Sequence, residues 1–289
     1  MRIATTRQEL RSARAELRAE GVGSLGFVPT MGYLHEGHLS LVAAAQQQND
    51  AVAVSIFVNP TQFGPNEDLA SYPRDLDRDL ALLEAAGVDL VWTPGVADVY
   101  PPGFDTYVVP GGVADVLEGA QRPGHFRGVA TVLTVLFRVL QPQRAYFGQK
   151  DAQQVAVVRQ VVRDLVLDVE VVACPIVREP DGLALSSRNS YLTAADRDAA
   201  TVLSRALRTA EGAWLAGERD ATALRTLMLE VLADEPRAEV DYVSVAHPDS
   251  LAELSAVDPA VGALLSLAVR VGRPRLIDNV VLLPCGTGD

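Results

Sequence analysis

Apolar runs bounded by turn residues alternate with helical-period segments over the first part of the chain. Residues 24–30 (SLGFVPT) read as a buried strand and 37–48 as the helix that follows it. Residues 51–58 (AVAVSIFV) form a continuous β-rich run, the pattern of a strand covered on both faces. Leu76, Leu80 and Leu83 recur at helical spacing in a helix expected over 75–86, and 88–93 supply the next strand. A helix over 128–140, a short strand over 144–147, a helix over 151–165 and a strand over 169–177 continue the alternation. Strands alternating with helices predict βαβ units and a mainly parallel sheet. Ligands of such sheets bind beyond the C-terminal strand ends, in the loops that open helices.

After residue 177 the pattern changes. The loop REPDGLALSSRN leads to Thr193, an expected N-cap with Asp196 three residues on, and to an Ala-rich helix ending near 216. A second helix over 221–233 precedes three strand-like runs at 239–246, 264–271 and 275–283. The expected fold class is therefore α/β: a parallel-sheet domain over 1–176 and a smaller α+β domain over 177–289. No internal repeat, low-complexity tract or Gly/Ser-rich linker interrupts it.

Composition narrows the function classes. The chain has 289 residues and a net charge of −12, so a basic stripe for nucleic acid is not expected, although a few local cations can hold a small anion. Two cysteines, Cys174 and Cys285, are too few for a disulfide framework or a four-cysteine zinc site. The N-terminus lacks the apolar core of a signal peptide, and the longest apolar stretch, around 260–269, is far short of a membrane span. A cytoplasmic globular protein is expected. Lys150 is the only lysine among 25 basic side chains. Arginine codon bias explains the arginines but not why one compact ammonium is retained.

Four segments can carry chemistry. In PTMGYLHEGH, directly after a strand, His35 and His38 are three residues apart, a spacing that projects both from one helix face. Gly32 and Gly37 permit close backbone turns, and a helix start favours phosphate. Two imidazoles there can donate to phosphate oxygens as charge develops in phosphoryl or nucleotidyl transfer. The alternative, a zinc pair, lacks the HExxH spacing and has only His125 and His247 as further imidazoles. In FGQKD, Lys150 sits between a strand and a helix, with Asp151 an expected N-cap and Gln153 and Gln154 in the first turn. In LSSRN, two hydroxyls and a guanidinium make a phosphate clamp, since Arg grips phosphate in a bidentate fork. In SIFVNPTQFG, Asn59 and Gln62 offer uncharged amides suited to a hydroxylated substrate; the plainer reading of Asn-Pro is a turn.

Taken together, TMGYLHEGH, SIFVNPTQFGPNEDLASYPRD, YFGQKDAQQ and VREPDGLALSSRNSYL closely resemble the pantothenate synthetase (pantoate–β-alanine ligase) family of the nucleotidyltransferase superfamily, over nearly the whole chain. HEGH corresponds to the superfamily's H-x-G-H signature and LSSR to its mobile phosphate loop. The resemblance implies a Rossmann-like domain with a smaller C-terminal domain, a homodimer, and ATP, pantoate and β-alanine as substrates. Pantoate is adenylated with release of pyrophosphate, and β-alanine then displaces AMP. It further implies that His38 (as proton donor), His35, Lys150 and Arg188 are catalytic. Met31, Gly32, Tyr33, Leu34, His35, Glu36, Gly37 and His38 would line the ATP site together with Gly148, Gln149, Lys150, Asp151, Val177, Leu185, Ser186, Ser187 and Arg188. Gln62, Gln154 and Asn59 would bind pantoate and β-alanine. Magnesium would ride on the ATP phosphates with Asp79 as an outer partner. The sequence departs from the family pattern at Gln149, where Glu is common, at Leu185 for Met, and at Tyr33 for Ala. Competing readings are another adenylate-forming enzyme with a different acceptor, a catalytically silent nucleotide binder, and a zinc hydrolase.

Overall fold

A computed structural model describes residues 1–65 and 67–283, so Cys285 lies outside the described residues. The chain divides into two compact units, Met1–Gln149 with Gln153–Pro175 and Lys150–Ala152 with Ile176–Asp289. The division expected at 176/177 left residues 150–152 in the first unit; the structure groups them with the second.

The first unit runs β1 (Arg2–Ala4), α1 (Arg7–Ala19), β2 (Leu25–Thr30), α2 (Glu36–Gln48), β3 (Ala51–Ile56), α3 (Leu76–Ala85), β4 (Leu90–Trp92), α4 (Val96–Val99), α5 (Glu118–Gln121), α6 (His125–Leu140), β5 (Arg144–Gly148), α7 (Ala152–Asp164) and β6 (Glu170–Cys174). Its six strands form one parallel sheet in the order β1-β4-β3-β2-β5-β6. Alternating strand residues feed two cores. Phe27, Ala51, Ala53, Leu90, Trp92 and Phe147 pack with residues of α1, α6 and α7. Val28, Val52, Val54, Val91 and Tyr146 pack with α2 and α3. Burial on both faces is why these strands read as unbroken apolar runs.

The first 20 residues fold although no element was expected there. In α1 the buried positions Leu10, Ala13, Arg14 and Leu17 follow helical spacing, while its many exposed charges mask the pattern. Thr6 and Glu9 close a capping box at its start.

The second unit contains α8 (Ala194–Ala199), α9 (Val202–Leu215), α10 (Ala221–Ala233), β7 (Ala238–Ala246), β8 (Ala263–Val271) and β9 (Arg275–Leu282). The strands form an antiparallel sheet in the order β7-β8-β9, with Leu265, Leu267 and Val269 packed with Leu203, Leu207, Trp214 and Met228 of the helices. Thr193 caps α8 as expected, accepting from the Asp196 N–H. The single helix expected to 216 is two helices. The Thr201 hydroxyl donates to the Asp198 carbonyl at 2.7 Å, a side-chain competitor for helical acceptors.

Candidate active site

The chain lays β3 and β4 successively to one side of β2 and then returns to place β5 on the other. That reversal is the topological switch point of the sheet, and ligands of open α/β sheets bind beyond the strand ends there. The loop after β2 is bent tightly by Gly32 at φ 86° and Tyr33 at φ 51°. A Cβ on Gly32 would stand 3.0 Å from both Asp79 and Ile56, so glycine is needed for space as well as for φ. Tyr33 is in the left-handed region, which costs about 1 kcal/mol or more for such a residue. Asp79 holds it there. Its Oδ2 accepts from the Tyr33 N–H at 2.6 Å and its Oδ1 from the Leu34 N–H at 2.7 Å. Burial pushes the Asp79 carboxyl above its ordinary range, against the pull of those two N–H groups. The carboxylate is 1% exposed, with both oxygens occupied by backbone. Asp79, expected as an outer magnesium partner, here anchors the loop. Leu34, expected to line the ATP site, is instead buried in the core over α2 and α3.

His35 and His38 are brought together, but not as two residues on one helical face. His35 is the N-cap of α2, with extended backbone, and only His38 lies within the helix. The His35 Nδ1 accepts from the Gly37 N–H at 3.1 Å, and the His35 N–H donates to His38 Nδ1 at 3.3 Å. The two rings thus form a capping box made of imidazoles, with centroids 4.1 Å apart. Because each Nδ1 is an acceptor, the neutral ring carries its proton on Nε2. The corner offers two Nε2–H donors at a helix N-terminus, where the dipole and the first-turn N–H groups favour an anion. Glu36 is exposed at the first helical position.

A second set of polar groups lies after β3. Asn59 is 1% exposed. Its Nδ2 donates to Gln62 Oε1 at 3.0 Å and to the Gly128 carbonyl, while its Oδ1 accepts from Thr61 and from the Tyr100 hydroxyl at 2.8 Å. This amide is engaged on both its oxygen and its nitrogen, and through the first of these bonds it orients Gln62. With its oxygen taken, Gln62 directs its NH₂, which reaches Met31 Sδ at 3.2 Å. The Gln62 backbone is held as well. His125 Nδ1 lies 2.9 Å from the Gln62 carbonyl, and Arg122 stands 3.3 Å from its Nε2. Burial, then the Arg122 charge, depresses the His125 pKa from 6.5 to about 4, so the ring is neutral and donates from Nδ1. Arg122 grips Glu67 through two contacts of 2.7 and 2.6 Å. Burial would raise the Glu67 carboxyl, but that guanidinium holds it below the ordinary range.

Of the paired glutamines opening α7, Gln153 is the buried one. It donates to the carbonyls of Val113 and Val116 and accepts from the Glu118 N–H, fixing a turn in which Leu117 takes φ 47°. Gln154 is half-buried one position on.

In the second unit, Lys150 and Asp151 lie in a 3-10 turn, Gln149–Asp151, that runs directly into α7, so Asp151 is not the isolated N-cap expected. The chain between Val177 and Leu185 is a tight hairpin. Leu185 N–H donates to the Val177 carbonyl at 3.0 Å, and Arg178 bridges Ala184. Ser186 follows as the cap of a short turn, Ser187–Tyr191, that contains Arg188. Ser187 is buried; Ser186 and Arg188 are half-buried.

Among the described residues no group of three or more His, Cys, Asp or Glu is placed to hold a metal ion. Cys174 is buried and burial raises its thiol pKa, the reverse of what a nucleophile needs. No helix among the described residues is long and apolar enough to cross a membrane. Sequence reasoning missed Tyr100, Arg122, Glu67 and the anchoring role of Asp79; His125 was noted only as a spare imidazole. Their partners lie tens of residues away, and no local pattern announces them.

A family model described as Pantoate-beta-alanine ligase matches residues 2–281. A pantothenate synthetase of Herpetosiphon aurantiacus is 62% identical over 282 residues, covering 98% of this chain and 100% of its own. One of Chloroflexus aurantiacus is 64% identical, covering 98% of each. Among solved structures, the pantothenate synthetase of Thermus thermophilus superposes with a TM-score of 0.92 at 50% identity, over 98% of this chain and 100% of that one. The pantoate-beta-alanine ligase of Francisella tularensis, complexed with beta-gamma ATP and beta-alanine, gives 0.80 at 36% identity over 97% of each.

Proposed function

The chain belongs to the pantoate–β-alanine ligase family, and from that premise we propose how its residues perform the ATP-dependent condensation of pantoate with β-alanine. A carboxylate is a poor acyl donor until it carries a good leaving group. In the first step a pantoate carboxylate oxygen bonds to the α-phosphorus of ATP as the bond from that phosphorus to the bridging oxygen breaks, releasing pyrophosphate. In the second, the β-alanine nitrogen bonds to the acyl carbon, the acyl–oxygen bond breaks with AMP leaving, and the amine's proton passes to solvent. The protein forms no covalent bond in either step, so positioning and charge neutralisation carry the rate.

The observation that carries this reading is the imidazole capping box. Local backbone N–H groups dictate the tautomer of both rings, so two Nε2–H donors are pre-set before any ligand arrives. Preorganised donors of this kind lower the cost of developing charge because they need no reorientation. His35 and His38 contact the ATP phosphates, with His38 donating as pyrophosphate departs. Met31, Gly32, Tyr33, Glu36 and Gly37 form the nucleotide rim of that corner, and Gly148, Gln149 and Asp151 the flank around Lys150. Lys150 neutralises phosphate as a point charge and Arg188 as a fork, with Ser186, Ser187, Leu185 and Val177 shaping their loop. Gln62 and Gln154 hold pantoate through their amides, Gln62 in the orientation that Asn59 supports. Magnesium enters with ATP as part of the substrate, since the one carboxylate expected to meet it, Asp79, is committed to backbone. The chain acts as a homodimer in the cytoplasm. The first unit binds pantoate, and the second carries the phosphate loop.

The test is AMP release from magnesium–ATP with pantoate and β-alanine together, then with each omitted. Sustained release is expected only with both. Release independent of pantoate, or its absence from folded protein that binds ATP, would overturn the reading.

A further inference from the structure

Lys150 closes the parallel-sheet segment in sequence yet groups with the second unit, and a single hydrogen bond shows why. The Asn279 side-chain amide donates to the Lys150 carbonyl at 2.9 Å, across 129 positions of sequence. Asn279 lies on β9, where it pairs with Ser266 of β8, and its neighbour Asp278 pairs with Leu267. Both are buried, Asp278 at 3% exposure and Asn279 at 2%.

Asp278 faces the other phosphate-handling segment. Arg178 Nη1 donates to its Oδ2 at 2.6 Å and Nη2 to its Oδ1 at 2.8 Å, a bidentate pair. The same guanidinium donates to the Gly182 carbonyl at 3.0 Å and to the Asn279 carbonyl at 3.3 Å. The Asn279 N–H returns to Asp278 Oδ1 at 2.8 Å. Arg178 opens the hairpin whose last rung, Leu185 to Val177, immediately precedes Ser186, Ser187 and Arg188. Two successive residues of one strand therefore hold the backbone at Lys150 and the base of the loop carrying Arg188. β9 is bonded to β8 along its length, so the platform is rigid. Removing one partner of the buried pair would leave a desolvated charge uncompensated.

We propose that Asp278 and Asn279 are positioning residues for the adenylation step, fixing Lys150 and the loop of Ser186 to Arg188 in one register so that ammonium and guanidinium meet the polyphosphate together. This inference rests on the ligase reading. It assigns to β9 a role that its sequence, RLIDNVVL, gives no sign of.

The sole lysine makes the test specific, because Lys150 is the one side-chain amine in the sequence and mass spectrometry separates it from the N-terminal amine. Asn279→Ala, and Asn279→Asp, which keeps the shape but turns an oxygen towards the Lys150 carbonyl, are compared with wild type in the full chain. Two readouts are taken: steady-state AMP release, and the ATP protection of Lys150 against labelling, located by mass spectrometry. In both variants kcat is expected to fall about tenfold or more while the KM for pantoate stays within about twofold, and ATP protection of Lys150 is largely lost. Folded variants with wild-type kcat and wild-type protection would overturn the proposal. Should the Asn279 variants not fold, Asp278→Asn keeps the shape of the partner but weakens its grip on Arg178 without adding a lysine; loss of both readouts supports the platform and wild-type values overturn it. If wild type itself shows no pantoate-dependent AMP release, the ligase reading fails. Protection by ATP that depends on Asn279 would then still support the positioning of Lys150, and protection indifferent to Asn279 would overturn it.

Discussion

The histidine corner of the first unit and the lysine corner of the second, both proposed to handle phosphate, are built in opposite ways. His35 and His38 take their orientation from N–H groups at positions 35 and 37, so the capping box sets its own tautomers. Only the loop before them needs a distant support, from Asp79. Lys150 and the loop of Arg188 add long-range supports to their local turn bonds. The Lys150 carbonyl accepts from Asn279 of β9 across 129 positions, and the Arg178 side chain at the base of the other loop grips Asp278 across 100. The difference teaches that a helix start can carry its own catalytic geometry, whereas a charge on a turn must borrow rigidity from an element formed much later in the chain.

The sharpest break in the comparison separates capping from chemistry. His38→Gln keeps an N3 side-chain acceptor but loses the imidazole donor. Adenylation should fall by about 10²-fold or more with stability changed by less than about 1 kcal/mol, read by AMP release and denaturant unfolding. Lys150→Ala should cost a similar factor. Either variant turning over like wild type removes that residue from the mechanism.

Gln62→Ala should raise the KM for pantoate about tenfold, the scale of a lost hydrogen bond to a charged group, with ATP binding unchanged by calorimetry. Weakened ATP binding with normal pantoate use would mean the two halves are misassigned. Gly128→Ala tests the same residue from behind. Its Cβ would stand 2.4 Å from the Thr61 carbonyl oxygen and 2.7 Å from Gln62 Cα, so the turn must move. A pantoate KM raised several-fold, with a stability loss of about 1–3 kcal/mol, is expected.

The smallest effect is on pH. The His125 pKa is depressed from 6.5 to about 4, so the unfolded chain binds a proton that the folded ring refuses. Its contribution to stability is complete above pH 6.5 and is lost as pH falls towards 4. Between pH 6.5 and 5.5 wild type should lose about 1 kcal/mol more than His125→Asn in urea unfolding. Parallel curves would contradict the buried neutral ring.

Much of this was legible because it is local. The alternation of apolar strands and helices carries the parallel sheet, and HEGH brings the two imidazoles together, though as a cap and an N3 residue rather than on one helix face. The N-terminal β1 escaped notice because three residues show no period, and α1 because its charges outnumber its buried face. The supporting role of Asn59 was hidden for a different reason: residue type reveals capacity for hydrogen bonds, not which neighbours use it. The same holds for Asp79. Asp278 and Asn279 were invisible because their meaning lies wholly in partners a hundred residues away.

In the proposed reaction pantoate is activated on phosphorus before β-alanine takes part. Exchange of labelled pyrophosphate into ATP tests it without the second substrate. Exchange by wild type is expected to require pantoate, to proceed in the absence of β-alanine, and to fall about 10²-fold in His38→Gln and Lys150→Ala. Exchange that appears only when β-alanine is present, from protein that forms pantothenate normally, would contradict it.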